Sequence, residues 1–213
     1  MIIGILGKTG VGKTSLMVKL ATKHWRSGKH FYSDIWLKSI KPYMDRWSVG
    51  GWLAYNLGLS KGRYFVPYSN YREYEEREDL YKLPAGSTIL VDEATVYFDS
   101  KAVKFLPLHI RKKITDSRKD GIDIWWSSQR IRGVCTDLRD LTHIYYQVSS
   151  FPLLPAGYLR VYFAKMYFDI DENGKFENVK SAKTKVIFLT RKDFDAYDTY
   201  QKIRPELQDN KEV

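Results

Sequence analysis

The sequence predicts an α/β domain whose sheet is mostly parallel, with an antiparallel hairpin added after it. Three observations carry that prediction. Short apolar runs closed by turn residues alternate with stretches of helical periodicity over about residues 1–150. The first run, IIGIL, passes through a glycine-rich segment straight into a helical pattern. Past Gly157 the pattern changes to YLRVYFAKMYF and KTKVIFL around a polar turn, which reads as a pair of antiparallel strands.

Taken in order, residues 2–6 form the first strand. Over residues 14–27 the apolar side chains Leu16, Met17, Leu20 and Ala21 recur at helical spacing, and Gly28 stands where that helix would stop. Residues 30–34 read as a second strand. Residues 36–68 hold three tryptophans and scattered glycines with no clear period, so no element is assigned there. The stretch over 70–81, with YREYEERED, reads as an exposed charged helix. Residues 88–91, 122–127 and 143–148 are three further buried strands. Pro107 suits the first position of a helix on which Arg111, Thr115 and Arg118 share a face at i, i+4, i+7. After Arg191 a short helix leads into a charged tail.

The 213 residues, 44% of them hydrophobic, suffice for one core, so the chain reads as a single domain over 1–213. Its core spans about 1–150, and the hairpin and tail about 151–213. Lys and Arg outnumber Asp and Glu by 35 to 25, a formal charge of +10, which favours a polyanionic partner such as nucleic acid. Cys135 is the only cysteine, which excludes an internal disulfide and suits a reducing, intracellular setting. No apolar run approaches the ~20 residues needed to span a bilayer, and the N-terminus shows no basic segment ahead of an apolar stretch with a small-residue cleavage site. A soluble, cytoplasmic protein is expected.

The glycine-rich segment matches G-x-x-x-x-G-K-[ST] in full, as Gly7, Lys8, Thr9, Gly10, Val11, Gly12, Lys13 and Thr14. Glycines let the backbone wrap closely around phosphate oxygens, and the amides of Gly10, Val11, Gly12 and Lys13 would point inward at the positive end of the helix. Ser15 completes the expected nucleotide-contacting run. Lys13 would reach the β- and γ-phosphates, while the Thr14 hydroxyl would join a Mg²⁺ shell.

A second motif is TILVDEA, residues 88–94. Its apolar residues bury a strand and bring Asp92 to the C-terminal edge, where a carboxylate serves the metal opposite Thr14. Glu93 follows at a position suited to polarising an attacking water, which points to hydrolysis. The third is SRKDGIDIWWSSQR, residues 117–130, a strand ending in Ser127, Ser128 and Gln129. Gln129 could hydrogen-bond the attacking water or the γ-phosphate. Arg118 is the candidate for an arginine that enters a neighbouring subunit's site, and Arg139 in TDLRDL is its main competitor.

These residues carry a resemblance. GKTGVGKT, ILVDEA and the order SRKDGIDIWWSSQ then LRDL resemble the FtsK–HerA superfamily of P-loop ATPases. Within it the chain is similar to compact viral genome-packaging ATPases and to the ATPase part of the zonula occludens toxin (Zot) family of filamentous phages. The resemblance covers about residues 1–150. It implies an additional-strand, RecA-like P-loop core with the glutamine strand between the strands of the two nucleotide motifs. It further implies ATP with Mg²⁺, a homo-oligomeric ring and pumping of double-stranded DNA. By position, Lys13 and Thr14 would bind nucleotide and metal, Asp92 would serve the metal, Glu93 would activate water and Gln129 would sense the γ-phosphate. Zot-type proteins generally continue into a membrane-spanning segment, and none is read here, which favours a packaging motor acting in a host cytoplasm or on a virion, with capsid or portal proteins as further partners.

Three basic clusters, Arg111–Lys112–Lys113, Arg118–Lys119 and Arg130 with Arg132, could line a DNA path. DIDENGKFENVK, residues 169–180, begins like a calcium loop, but Lys180 stands where a bidentate glutamate is required. A hairpin turn at Asn173-Gly174 is the better reading. The expected function is therefore an ATP-hydrolysing DNA translocase. The alternatives are a Zot-like virion-assembly ATPase, a nucleotide-holding assembly or regulatory protein and, less favoured, a kinase.

Overall fold

The computed structural model describes residues 1–26, 29–35, 39–42, 62–65, 71–73, 82–101, 106–152, 160–170 and 179–189, with single positions at 37, 53, 80, 176, 193 and 197. The strands in chain order are β1 (Ile2–Leu6), β2 (Phe31–Ser33), β3 (Ser39–Pro42), β4 (Gly62–Phe65), β5 (Tyr71–Glu73), β6 (Thr88–Val91), β7 (Asp123–Ser128), β8 (Ile144–Pro152), β9 (Arg160–Tyr167) and β10 (Lys183–Leu189). The α-helices are α1 (Lys13–Arg26), α2 (Leu108–Asp116) and α3 (Thr136–Asp140).

One eight-stranded sheet runs β10-β9-β8-β1-β7-β6-β2-β5, and β3 with β4 makes a separate antiparallel pair. From β8 to β5 every neighbouring pair is parallel. The chain ends the sheet differently: β9 is antiparallel to β8 and β10 to β9, the predicted hairpin. β7 lies between β1 and β6, so the glutamine strand separates the strands of the two nucleotide motifs.

Burial on both faces explains the unbroken apolar runs of the central strands. On one face Leu16, Met17 and Val18 of α1 pack with Ile3, Ile5, Leu90 and Trp125. On the other, Ile110 and Ile114 of α2 meet Ile89, Val91, Ile124 and Trp126. Each such side chain taken out of water contributes about 1.5–3 kcal/mol, so even a nine-residue helix with two buried isoleucines docks firmly.

Two expectations need correction. The charged stretch over 70–81 is not one helix: residues 71–73 are β5, an edge strand parallel to β2. An edge strand has one open side and accommodates charge as readily as a solvated helix face does. Second, α2 begins after Pro107 and stops at Asp116, so Arg118 lies in the turn beyond it and does not share a helical face with Arg111 and Thr115. That turn closes through the Ile122 amide donating to the Ser117 carbonyl at 2.7 Å. Gly28, the Asn173-Gly174 turn and most of the tail lie outside the described residues.

At the N-terminal edge of the sheet the Met1 ammonium donates to the Ile122 carbonyl at 2.8 Å and to Asp123 Oδ1 at 2.9 Å. His143 Nδ1 accepts the Ile2 amide at 3.2 Å. Partial burial, then the N-terminal ammonium and Arg118, hold this imidazole below its ordinary value of 6.5. The unfolded chain therefore binds the proton more readily. The stability this gives is complete above pH 6.5 and is lost as pH falls through that value towards the folded one. His143→Asn keeps an acceptor but cannot titrate, so its urea midpoint should fall less than the wild type's between pH 7.5 and 5. Equal slopes would show that His143 contributes nothing to the pH dependence.

Candidate nucleotide site

The site grows from the C-terminal edge of the parallel sheet, where four strands end beside one another. β1 ends at Leu6, and the loop that follows reaches α1 through two glycines with positive φ, Gly10 at 76° and Gly12 at 84°. Such backbone turns successive N–H groups towards one point, a cradle for phosphate oxygens. Lys13 is buried, and its Nζ lies across the loop, donating to the Lys8 carbonyl at 3.4 Å.

From the next strands come the acidic groups. Thr14 Oγ1 donates to Asp92 Oδ2 at 2.9 Å, and Ser127 Oγ donates to Asp92 Oδ1 at 2.6 Å. The Asp92 amide is held by both carboxylate oxygens of Asp34, each at 2.9 Å. Burial, and secondarily the charge of Asp92, push the Asp34 carboxyl well above the ordinary carboxylate range, against the opposing effect of the Asp92 amide.

Glu93 is the one described residue other than glycine with positive φ, at 51°. Its amide donates to Ser127 Oγ at 3.1 Å, and the next amide, Ala94, donates to the Ser127 carbonyl at 2.7 Å. The bend turns the carboxylate towards β7, where Glu93 Oε1 accepts from Thr95 Oγ1 at 2.8 Å, Ser128 Oγ at 3.2 Å and the Gln129 amide at 3.4 Å. Gln129 closes the ring: its Oε1 accepts from Thr9 Oγ1 of the phosphate loop at 2.8 Å.

The structure thus brings together Thr14, Asp92, Glu93 and Gln129 around the phosphate loop. Ser15 stands apart, because its hydroxyl pairs with Tyr197 Oη at 2.6 Å and only its backbone is left for a ligand. Arg118 is exposed in the turn before β7, close enough to His143 to influence it, at the opposite end of the sheet. It cannot reach the loop of its own chain. Arg139 donates to Thr136 Oγ1 at 3.1 Å within α3, and Arg111 pairs with the buried Asp137 at 3.3 Å. Lys113 and Lys119 are likewise paired, with Asp120 and Asp116. Arg130 and Arg132 are exposed beyond β7, and Arg130 directly follows Gln129.

Sequence reasoning left Ser127 and Ser128 without roles and read Asp34 only as a strand end. The available sign was that two adjacent parallel strands both end in Asp, at Ser33-Asp34 and Val91-Asp92. The donor set fits Mg²⁺: a hydroxyl and a carboxylate are hard oxygen ligands, and this ion usually takes few protein ligands and completes its shell with phosphates and water. Among the described residues no group of three or more His, Cys, Asp or Glu forms an all-protein metal cage.

Sheet order and loop together define the additional-strand P-loop NTPase fold with a C-terminal antiparallel hairpin. Comparison with solved structures agrees at the level of fold: the N-terminal domain of zonular occludens toxin from Neisseria meningitidis superposes with a TM-score of 0.57 at 20% identity, covering 92% of this chain and 98% of that one. The genome packaging NTPase B204 of Sulfolobus turreted icosahedral virus 2, in complex with ATP-gammaS, matches with a TM-score of 0.45 at 13% identity over 87% of this chain and 95% of that one. No family model matches the sequence, and no curated protein does.

Proposed function

We propose that this protein hydrolyses ATP and couples turnover to moving double-stranded DNA, in the manner of a viral genome-packaging motor. The observation that carries the hydrolytic part is the closed polar ring from Thr9 through Gln129 and Glu93 to Ser127, Asp92 and Thr14. Loop amides and Lys13 bind and neutralise the phosphates. Thr14 and Asp92 would hold Mg²⁺, which when bound would supply charge neutralisation on the phosphate oxygens. Glu93 accepts the proton of the attacking water, with Oε1 pinned by its three donors and Oε2 left to face the water. Gln129 lies between loop and base, where it orients the water or reports the γ-phosphate.

A charge of +10 supports a DNA partner through phosphate contacts. Arg130 and Arg132, at the rim of the site, are the basic cluster placed to link nucleotide state to DNA. Arg118, at the opposite end of the sheet from its own loop, reaches only a neighbour's nucleotide, within a homo-oligomer. A second reading, a virion-assembly ATPase of the Zot kind, is favoured by the superposition on the zonular occludens toxin domain.

Steady-state hydrolysis with and without long duplex DNA, across an ionic-strength series, separates these readings. The motor should be stimulated several-fold by DNA, with the stimulation falling steeply as salt rises. A robust basal rate indifferent to DNA, together with no DNA binding at low salt, would sink the motor reading and favour the assembly ATPase.

A further inference from the structure

β2 is only three residues long, yet it places Asp34 beside the end of β6, because Ser33 pairs with Leu90 in a parallel register. The Ile35 amide donates to Ser33 Oγ at 3.0 Å, which fixes the turn directly after the strand. Asp34 then accepts the Asp92 amide with both oxygens, alongside its own backbone amide. Two carboxyl groups therefore neighbour one another, that of Asp92 accepting from Thr14, and among the described residues neither forms an ion pair with a lysine or arginine. Adjacent, partly buried like charges are costly without a compensating cation.

We propose that Asp34 is a positioning residue for the divalent cation of the nucleotide: it orients Asp92 through its amide and accepts hydrogen bonds from waters that Mg²⁺ retains. This rests on the nucleotide site proposed above. Mg²⁺ sheds its hydration shell reluctantly, so the waters it keeps need acceptors. Partners one step beyond the metal ligands typically change metal affinity or activity by about 10–100-fold when removed. Asp34 follows a strand different from that of Asp92 and holds the Asp92 amide from there, so it sets the position of Asp92 and offers carboxyl oxygens to the retained waters.

The test is the binding of a fluorescent ATP analogue in EDTA and over a free-Mg²⁺ series, for wild type, Asp34→Asn and Asp92→Asn. Asp34→Asn keeps an acceptor for the Asp92 amide but removes the ionisable carboxyl and one of its two acceptor oxygens. It should bind metal-free nucleotide as the wild type does, while its Mg²⁺ midpoint rises about 10–100-fold. Should its thermal transition be lost, Asp34→Ser takes its place with the same expectation. An unchanged Mg²⁺ midpoint in a variant of Asp34, with Asp92→Asn shifted, overturns the assignment and leaves the nucleotide site standing. Equal weakening with and without Mg²⁺ also overturns it, because a merely structural role would act on both. A wild-type chain that binds no nucleotide in either condition overturns the reading of the site and the role of Asp34 with it.

Discussion

Glu93→Gln should bind nucleotide as the wild type does and turn over about 10²–10⁴-fold more slowly. The substitution keeps a carbonyl oxygen where Glu93 Oε1 now accepts from Thr95, Ser128 and the Gln129 amide, so the side chain stays in place. What disappears is basicity. The backbone supports the same assignment, since a φ of 51° at a residue that is neither glycine nor asparagine costs about 1–3 kcal/mol and persists only when its surroundings over-determine it. Here the amides of Glu93 and Ala94, both bonded to Ser127, supply that constraint. Phosphate release and binding of a fluorescent ATP analogue, measured side by side, check the expectation. Near-normal turnover would remove Glu93 from the base role. Mixing the variant with wild-type subunits adds a test of the ring: a rate falling faster than the wild-type fraction shows that neighbours share in each site.

Most of this site could be read in advance because its determinants are local. GKTGVGKT dictates its own backbone through glycine positions, and TILVDEA and GIDIWWSSQ are buried runs whose last residue must emerge at the sheet edge. Asp34 was hidden for the opposite reason. Its partner is 58 positions away in sequence, on a strand whose adjacency to β2 is a property of the sheet and not of any short window. The misread helix over 70–81 failed on composition, because charge reports solvent exposure and not backbone type. Arg118 failed on helix length: with α2 ending at Asp116, a three-residue helical register does not survive into the Asp120-Gly121 turn, where Gly121 takes a φ of 66°. The appended hairpin was legible as two β-rich runs. Its contact with the phosphate loop was not, because that depends on which face of β9 the sheet turns towards α1.

That contact makes Gly12→Ala the substitution with the second large effect. Gly12 has a φ of 84°, and a Cβ built on it would stand 1.9 Å from the hydroxyl oxygen of Tyr162 and 2.8 Å from its ring carbon Cζ. Tyr162 is fully buried in β9, packed with Leu16 and Met17 of α1, so it has little room to retreat. Backbone strain of about 1–3 kcal/mol and overpacking of about 1–3 kcal/mol then act together. The loop must shift away from the hairpin, and its amides no longer converge on a phosphate. Gly12→Ala should therefore lower the unfolding midpoint and weaken binding of a fluorescent ATP analogue by more than tenfold. Adding Tyr162→Phe removes the atom in the closest contact but leaves the backbone strain, so the double variant should recover part of the lost stability and little of the binding. That split assigns the two costs separately, since residues in contact couple in a double-mutant cycle whereas a strained φ does not depend on its neighbour. If Gly12→Ala folds and binds like the wild type, the loop is not braced by β9 and the hairpin has no hold on the nucleotide site.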